Sequence, residues 1–167
     1  NQGVVYFQAP GENFKEFQEG NIAFKPSTEK EMLENFWKGA EKYNEFITFN
    51  GRGFDAPFLA VRSAVHKIKA TKDLMSNRYL NSQKFGATHI DLFDQLTFYG
   101  ATRRKGGLHL WCRAFGITSP KAQGVTGDDV AQLFKEKKYK EIARYNVGDL
   151  AATKELYDYW KNYVKIG

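Results

Sequence analysis

Two short stretches hold residues whose types and spacing could do chemistry. The first is Glu45–Leu59, EFITFNGRGFDAPFL. Phe46, Ile47, Thr48 and Phe49 are aromatic or β-branched and suit a short buried strand. Asn50-Gly51 and Gly53 break that run and allow positive φ. Phe54-Asp55 then precedes Pro57, which is tolerated in the first turn of a helix. Asn50 and Asp55 thus sit at the end of a strand, where open α/β sheets collect ligands. Two readings of Asp55 stand side by side: a carboxylate that caps the following helix, or a functional acid. NGRG also resembles a phosphate-binding glycine turn, without the full pattern of either standard motif.

The second stretch is Ile142–Leu150, IARYNVGDL. Tyr145 and Asp149 lie four residues apart and share a face if the segment is helical. Gly148 costs about 1 kcal/mol in a helix interior relative to Ala, so it marks a close approach or a bend. Taken alone, the pair reads first as a half-buried Tyr beside a solvated Asp.

The elements that must position these residues follow from pattern. Gly3–Gln8 reads as a strand, Ala9–Gly20 as a polar loop turning at Pro10-Gly11, and Asn21–Lys25 as a short extended piece. Thr28 with Glu31 forms a capping box. The helix it opens carries Leu33, Phe36, Trp37, Ala40 and Tyr43 on one face. The strand around Phe46–Phe49 comes next, then a helix from about Pro57 to Ile68. Thr71–Ala87 is the least regular region. Thr88–Leu92 reads as a strand, and Asp91 or Asp94 as the cap of a helix ending near Tyr99. Gly100–Gly107 contains Arg103-Arg104-Lys105 and reads as a basic surface loop. Leu108–Phe115 is expected to be helical up to Gly116. Asp128 or Asp129 starts a short helix to about Lys135, and a last helix runs from about Tyr139 to Val164.

The 167 residues suffice for one domain with a real core. At 42% hydrophobic and 16% aromatic the chain is globular rather than disordered. A net charge of +6 favours an anionic partner such as nucleic acid. The single Cys112 excludes an internal disulfide and a cysteine zinc cage, and its apolar surroundings make it a core residue. His66, His89 and His109 have no spacing that suggests zinc and read as structural or surface groups. Lys135–Lys140, KEKKYK, reads as a solvated helix end. With no secretory signal and no run approaching a membrane span, a cytoplasmic location is expected. The sequence starts without Met, which fits an excerpt or a processed product.

Taken together, Asn50-x3-Phe54-Asp55 after a strand and Tyr145-x3-Asp149 on a late helix resemble the DEDD superfamily of 3′–5′ exonucleases, in its Tyr-containing DEDDy branch. Within that branch the chain is most similar to predicted exonucleases related to the proofreading domain of family-B DNA polymerases. FNGRGFDAPFL resembles the second motif and YNVGD the third. HIDLFD (His89–Asp94) and LHLWCRAFGI (Leu108–Ile117) fall between them in the family's order. The resemblance covers nearly the whole chain.

The resemblance implies a ribonuclease-H-like α/β fold, a mixed sheet flanked by helices. It implies two divalent cations, Mg²⁺ or Mn²⁺, about 3.5–4 Å apart. Asp149 would bind one metal directly and Asp55 would hold the other through water. Tyr145 would orient the attacking water. Asn50 and Phe54 would border the channel for the 3′-terminal nucleotides, with Phe54 able to stack on a base. Arg103 and Arg104 are candidates to touch the phosphate backbone. The implied activity is 3′–5′ hydrolysis at single-stranded ends, with DNA the favoured polymer. The alternative is a non-catalytic module on the same fold that binds nucleic acid or protein.

One departure bears on all of this. The family's first motif is an Asp-x-Glu on the first strand, and no Asp-x-Glu occurs anywhere in the chain. Gly3–Gln8 is read as a later strand, so the domain is expected to lack its first strand and two of four metal-binding carboxylates. Asp91 and Asp94 are poor substitutes, because i and i+3 on a strand point to opposite faces.

Overall fold

The computed structural model of the chain describes residues 2–103, 105–119 and 127–165. Its strands are β1 (Gly3–Phe7), β2 (Phe17–Glu19), β3 (Ile22–Pro26), β4 (Glu45–Thr48) and β5 (Thr88–Asp91). Its helices are α1 (Glu29–Ala40), α2 (Asp55–Val65), α3 (Leu92–Leu96), α4 (Leu108–Ala114), α5 (Val130–Lys135) and α6 (Tyr139–Tyr163). Leu80–Ser82 and Gly127–Asp129 form 3₁₀ turns.

The architecture is mixed α/β, but the expected mixed sheet is present as two small sheets. The first has the order β1-β3-β2, with β1 parallel to β3 and β2 antiparallel to it. The second is the parallel pair β4-β5, with Glu45 opposite Thr88 and Thr48 opposite Asp91. The physical reason is an unshared border. Among the described residues, β1 pairs only through its β3 side and β4 only through its β5 side.

Strand β2 lies inside the segment expected to be an irregular polar loop. Three residues are too few to display alternation, and the strand is fixed by contacts made elsewhere. Phe17 stacks on Phe24 with ring centroids 4.7 Å apart, and Lys140 lies over the Phe14 and Phe17 rings. Lys140 is therefore packed on aromatic faces rather than simply solvated.

Helix α6 ties the two sheets together. Tyr139 and Ala143, near its start, pack with Val5, Phe7 and Phe24. Leu156 and Trp160, near its end, pack with Ile90, Leu92 and Leu96. Twenty-five helical residues reach about 37 Å, long enough to cross both sheets. Each large apolar side chain so buried stabilises by about 1.5–3 kcal/mol.

A third cluster joins α1 to α2 through Trp37, Ala40, Ala56 and Leu74. The Trp37 indole N–H donates to the Ser63 hydroxyl at 2.8 Å. The Thr28–Glu31 capping box forms at the start of α1 as expected. Tyr43 falls beyond the end of α1 and is exposed, so it does not extend the buried face. Helix α3 stops at Leu96, short of Tyr99, because Phe98 and Tyr99 take left-handed φ values of 50° and 57°. Cys112 is fully buried in α4.

Candidate active site

The loop between β4 and α2 is built by a close approach and by a distant carboxylate. Of the Asn50-Gly51 pair and Gly53, which the sequence offers for positive φ, only Asn50 adopts it, at 61°. The glycines are needed for space instead. A Cβ at Gly51 would overlap the Thr48 side chain, and one at Gly53 would run into the Asn50 side-chain oxygen. Asn tolerates the left-handed conformation better than most residues with a side chain.

Asp91, at the end of β5, holds this loop. Its carboxylate accepts from the backbone N–H of Asn50 at 2.7 Å and of Arg52 at 2.9 Å. It also accepts from the N–H of Phe93 at 3.0 Å, capping α3 as expected. Asp91 is 2% exposed. The cap is legible in the sequence, but the grip on a loop some forty residues earlier is not. Asp94 is turned elsewhere, into an ion pair with Arg78. Both carboxylates are thus engaged by partners within the described residues.

Beside Asp91, His89 is buried and locked. Its Nδ1 lies 2.8 Å from the Leu74 carbonyl oxygen, which can only accept, so Nδ1 carries a proton. Burial is the main cause that lowers the His89 pKa, so the neutral ring is favoured. Its Nε2 then accepts from the Thr48 hydroxyl at 2.8 Å. His66 lies against Glu29, and His109 beside Ser119.

Asp55 is the first residue of α2, not its N-cap. The cap position belongs to Phe54, which makes no side-chain capping bond. Asp55 is exposed as a whole residue, yet neighbouring atoms withdraw water from its carboxyl group. That desolvation is the main cause that raises its pKa, and the negative charge of Asp91 adds to it. Its own backbone N–H pulls the other way, and the positive end of the helix dipole favours the anion there in general. A cation beside Asp55 would relieve both raising effects.

Asp55 borders a slot of about 740 Å³ between β1 and β4. One wall carries Phe36 and Ala40 from α1 with Ala56 and Leu59 from α2. Leu150 of α6 reaches the same slot, whereas Tyr145 and Asp149 are not among its lining residues. Tyr145 and Asp149 are half-buried, one turn apart on α6. The charge of Asp149, after burial and Glu155, contributes to raising the Cys112 pKa, so Asp149 lies within electrostatic reach of α4.

The other expected site residues divide. Phe54 is 62% exposed and stacks on Phe58, itself 50% exposed, with centroids 5.6 Å apart and planes 16° from parallel. Phe58 is an addition to the expected set, and its spacing of four from Phe54 ahead of a helix is the signal that points to it. Asn50 is exposed at the loop. Arg103 is exposed and is not part of the slot lining, and Arg104 lies outside the described residues.

Asp55 and Asp149 are hard oxygen donors of the kind Mg²⁺ and Mn²⁺ prefer. They fit such cations in kind but not in number. Among the described residues, no group of three or more His, Cys, Asp or Glu side chains could hold a metal ion. Among the same residues, no helix is long and apolar enough to cross a membrane.

No curated protein matches the chain at a significant level. One family matches residues 5–163, described as the predicted 3′–5′ exonuclease related to the exonuclease domain of PolB. That span contains both the FNGRGFD loop and the YNVGD turn of α6. The chain therefore belongs to the family of predicted 3′–5′ exonucleases related to the PolB exonuclease domain.

Proposed function

We propose that this domain is the larger part of a metal-dependent 3′–5′ exonuclease that hydrolyses phosphodiester bonds at single-stranded ends, with DNA the favoured polymer. The observation that carries the reading is Asp55, a carboxylate at a helix start on the rim of the slot, with its charge disfavoured by burial and by Asp91. A bound cation would offset those opposing effects, which gives an acid in that place a reason to serve as a ligand.

The architecture fits a ribonuclease-H-like sheet that is interrupted between β1 and β4. An Asp-x-Glu strand in that interruption would set its two carboxylates on one face, because alternate residues of a strand share a side. With Asp55 and Asp149 they would make four. Two divalent cations, if held by that set, would supply charge neutralisation at the phosphate and a water of lowered pKa.

The chain's own residues do the rest. Asp55 and Asp149 fix the site against two rigid helices. The Tyr145 hydroxyl, one turn before Asp149, orients a water toward the scissile phosphorus. Phe54 and Phe58 offer a stacked aromatic face on which terminal bases rest, an interaction worth about 1–3 kcal/mol per base and tolerant of sequence.

The test is a labelled single strand with manganese, using the domain completed by an Asp-x-Glu strand. Stepwise loss from the 3′ end that stops in Asp55→Ala and in Asp149→Ala supports the reading. Binding of the strand with no hydrolysis in the completed domain would make it a binding module on the same fold.

A further inference from the structure

The turn after α3 holds two bulky residues in a conformation that suits glycine. Phe98 and Tyr99 take left-handed φ in succession, at 50° and 57°, and Gly100 follows at 93°. A helix end needs only one left-handed residue. The turn is pinned all the same. The Tyr99 N–H donates to the Asp94 carbonyl at 2.7 Å, and the Gly100 N–H to that of Thr97 at 3.0 Å. The strain does not bury the Phe98 ring, which is 55% exposed and belongs to none of the three core clusters. Strain of this kind persists only where the surroundings enforce it, and it collects at ligand sites.

Both rings line a pocket of about 240 Å³, together with Tyr79 and with Trp160 of α6. Tyr79 is 54% exposed and meets Tyr99 with ring centroids 4.7 Å apart. Polar groups converge on the same space. The Tyr99 hydroxyl accepts from the Gln95 side-chain amide at 3.0 Å and from the Leu80 N–H at 3.4 Å, which leaves its own proton to give. The Gln95 side-chain oxygen and the Asn81 carboxamide add acceptors and donors. Lys165 brings an ammonium, and no acid is among the described residues that line the pocket. Asp94, next to Gln95, is engaged by Arg78.

This pocket shares no lining residue with the slot at Asp55. Trp160 follows Asp149 by eleven residues on α6, about 16 Å along the helix. A group held here is therefore not the one being cleaved. Exposed aromatic faces take a planar ring, the hydroxyl and carboxamides take a hydrogen-bonding edge, and the ammonium takes a negative charge. An apolar side chain of a protein partner would leave those polar groups unmatched. A nucleotide meets all three demands.

We propose that this pocket binds the base of a nucleotide, with the phosphate at Lys165. The site goes beyond the exonuclease reading and does not require a completed slot. Two sources share the chemistry: a free mononucleotide, or a nucleotide within a single strand at a distance from the end being cut.

The test uses the 167-residue chain with metals chelated. Its ligands are deoxyadenosine, deoxyadenosine 5′-monophosphate and an oligodeoxyadenylate of about six nucleotides. Magnetic resonance follows the backbone amides of Phe98, Tyr99 and Lys165. The monophosphate should shift all three with a dissociation constant below about 1 mM. Deoxyadenosine should bind about threefold or more weakly, and Lys165→Gln should erase that difference. An oligonucleotide affinity about tenfold or more above that of the monophosphate assigns the pocket to a strand, and equal affinities assign it to the free nucleotide. Phe98→Gly removes the ring and the strain together. Its melting temperature should hold or rise while affinity falls about tenfold or more. Lys165 is exposed, so Lys165→Gln tests the charge even if Phe98→Gly does not fold. Unshifted amides with all three ligands at about 5 mM overturn the proposal. So does a Phe98→Gly chain with a lowered melting temperature and unchanged affinity, because the turn then serves the fold alone.

Discussion

Replacing Asp91 by Ala should destabilise the domain by about 3–5 kcal/mol, for reasons visible at its carboxylate. That group receives three backbone N–H groups, from Asn50, Arg52 and Phe93. Hydrogen bonds to a charged acceptor contribute about 1.5–3 kcal/mol each, so their plain sum is a ceiling of about 4.5–9 kcal/mol. Water reaching the exposed Asn50 recovers part of that, and single-site losses above about 4–5 kcal/mol are exceptional. For a chain of this size each kcal/mol moves the melting temperature by about 2–4 °C. The expected fall is therefore about 6–20 °C. Asp91→Asn should be milder, at about 1–3 kcal/mol. Asn50 and Phe93 share one oxygen, which an amide can keep, whereas the Arg52 N–H would then face an NH₂ group. Urea unfolding followed by circular dichroism measures both variants. A loss below about 1 kcal/mol in Asp91→Ala, or an equal loss in the two variants, would refute the bracket. Full loss of activity in Asp91→Asn at unchanged stability would make Asp91 a metal ligand after all.

The remaining expectations concern the site. Asp55→Asn should abolish metal-dependent nucleotide release in the completed domain while stabilising the fold at neutral pH. The folded pKa of Asp55 is raised above 3.8, so the native state binds more protons within that window. Stability then falls as pH rises from 3.8 through the folded value, and urea midpoints for Asp55→Asn should lack that fall. Tyr145→Phe should lower single-turnover cleavage about 10–100-fold with little change in single-strand affinity measured in calcium, since a residue that orients water acts in the transition state. Weakened affinity with unchanged turnover would move Tyr145 to substrate binding. Changing Arg103 and Arg104 together to Ala should reduce the salt dependence of single-strand binding by about 0.7 in slope for each phosphate that the loop neutralises. An unchanged slope would place that loop away from the nucleic acid.

Local signals made much of the frame legible. Aromatic and β-branched residues before Asn50 marked β4, the Thr28–Glu31 box marked α1, and the long pattern from Tyr139 marked α6. What escaped was decided by partners remote in sequence. Strand β2 exists because Phe17 finds Phe24 and the hairpin to β3. Asp91 holds the loop through N–H groups 41 and 39 residues earlier. The sequence offers Asp55 as the cap of α2, and the structure gives that position to Phe54. The division into two sheets is a property of an unpaired border, to which no local motif corresponds.

The central claim is that two carboxylates on a strand in the slot complete the site begun by Asp55 and Asp149. The most direct measurement joins an Asp-x-Glu strand covalently ahead of Gln2 and follows a 3′-extended, 5′-labelled single strand in manganese. The expected result is a descending ladder from the 3′ end that disappears on chelation and in Asp149→Ala, with no appreciable degradation by the 167-residue chain alone. Robust Asp149-dependent degradation by that chain alone would contradict the claim, as would an inert completed domain that is folded.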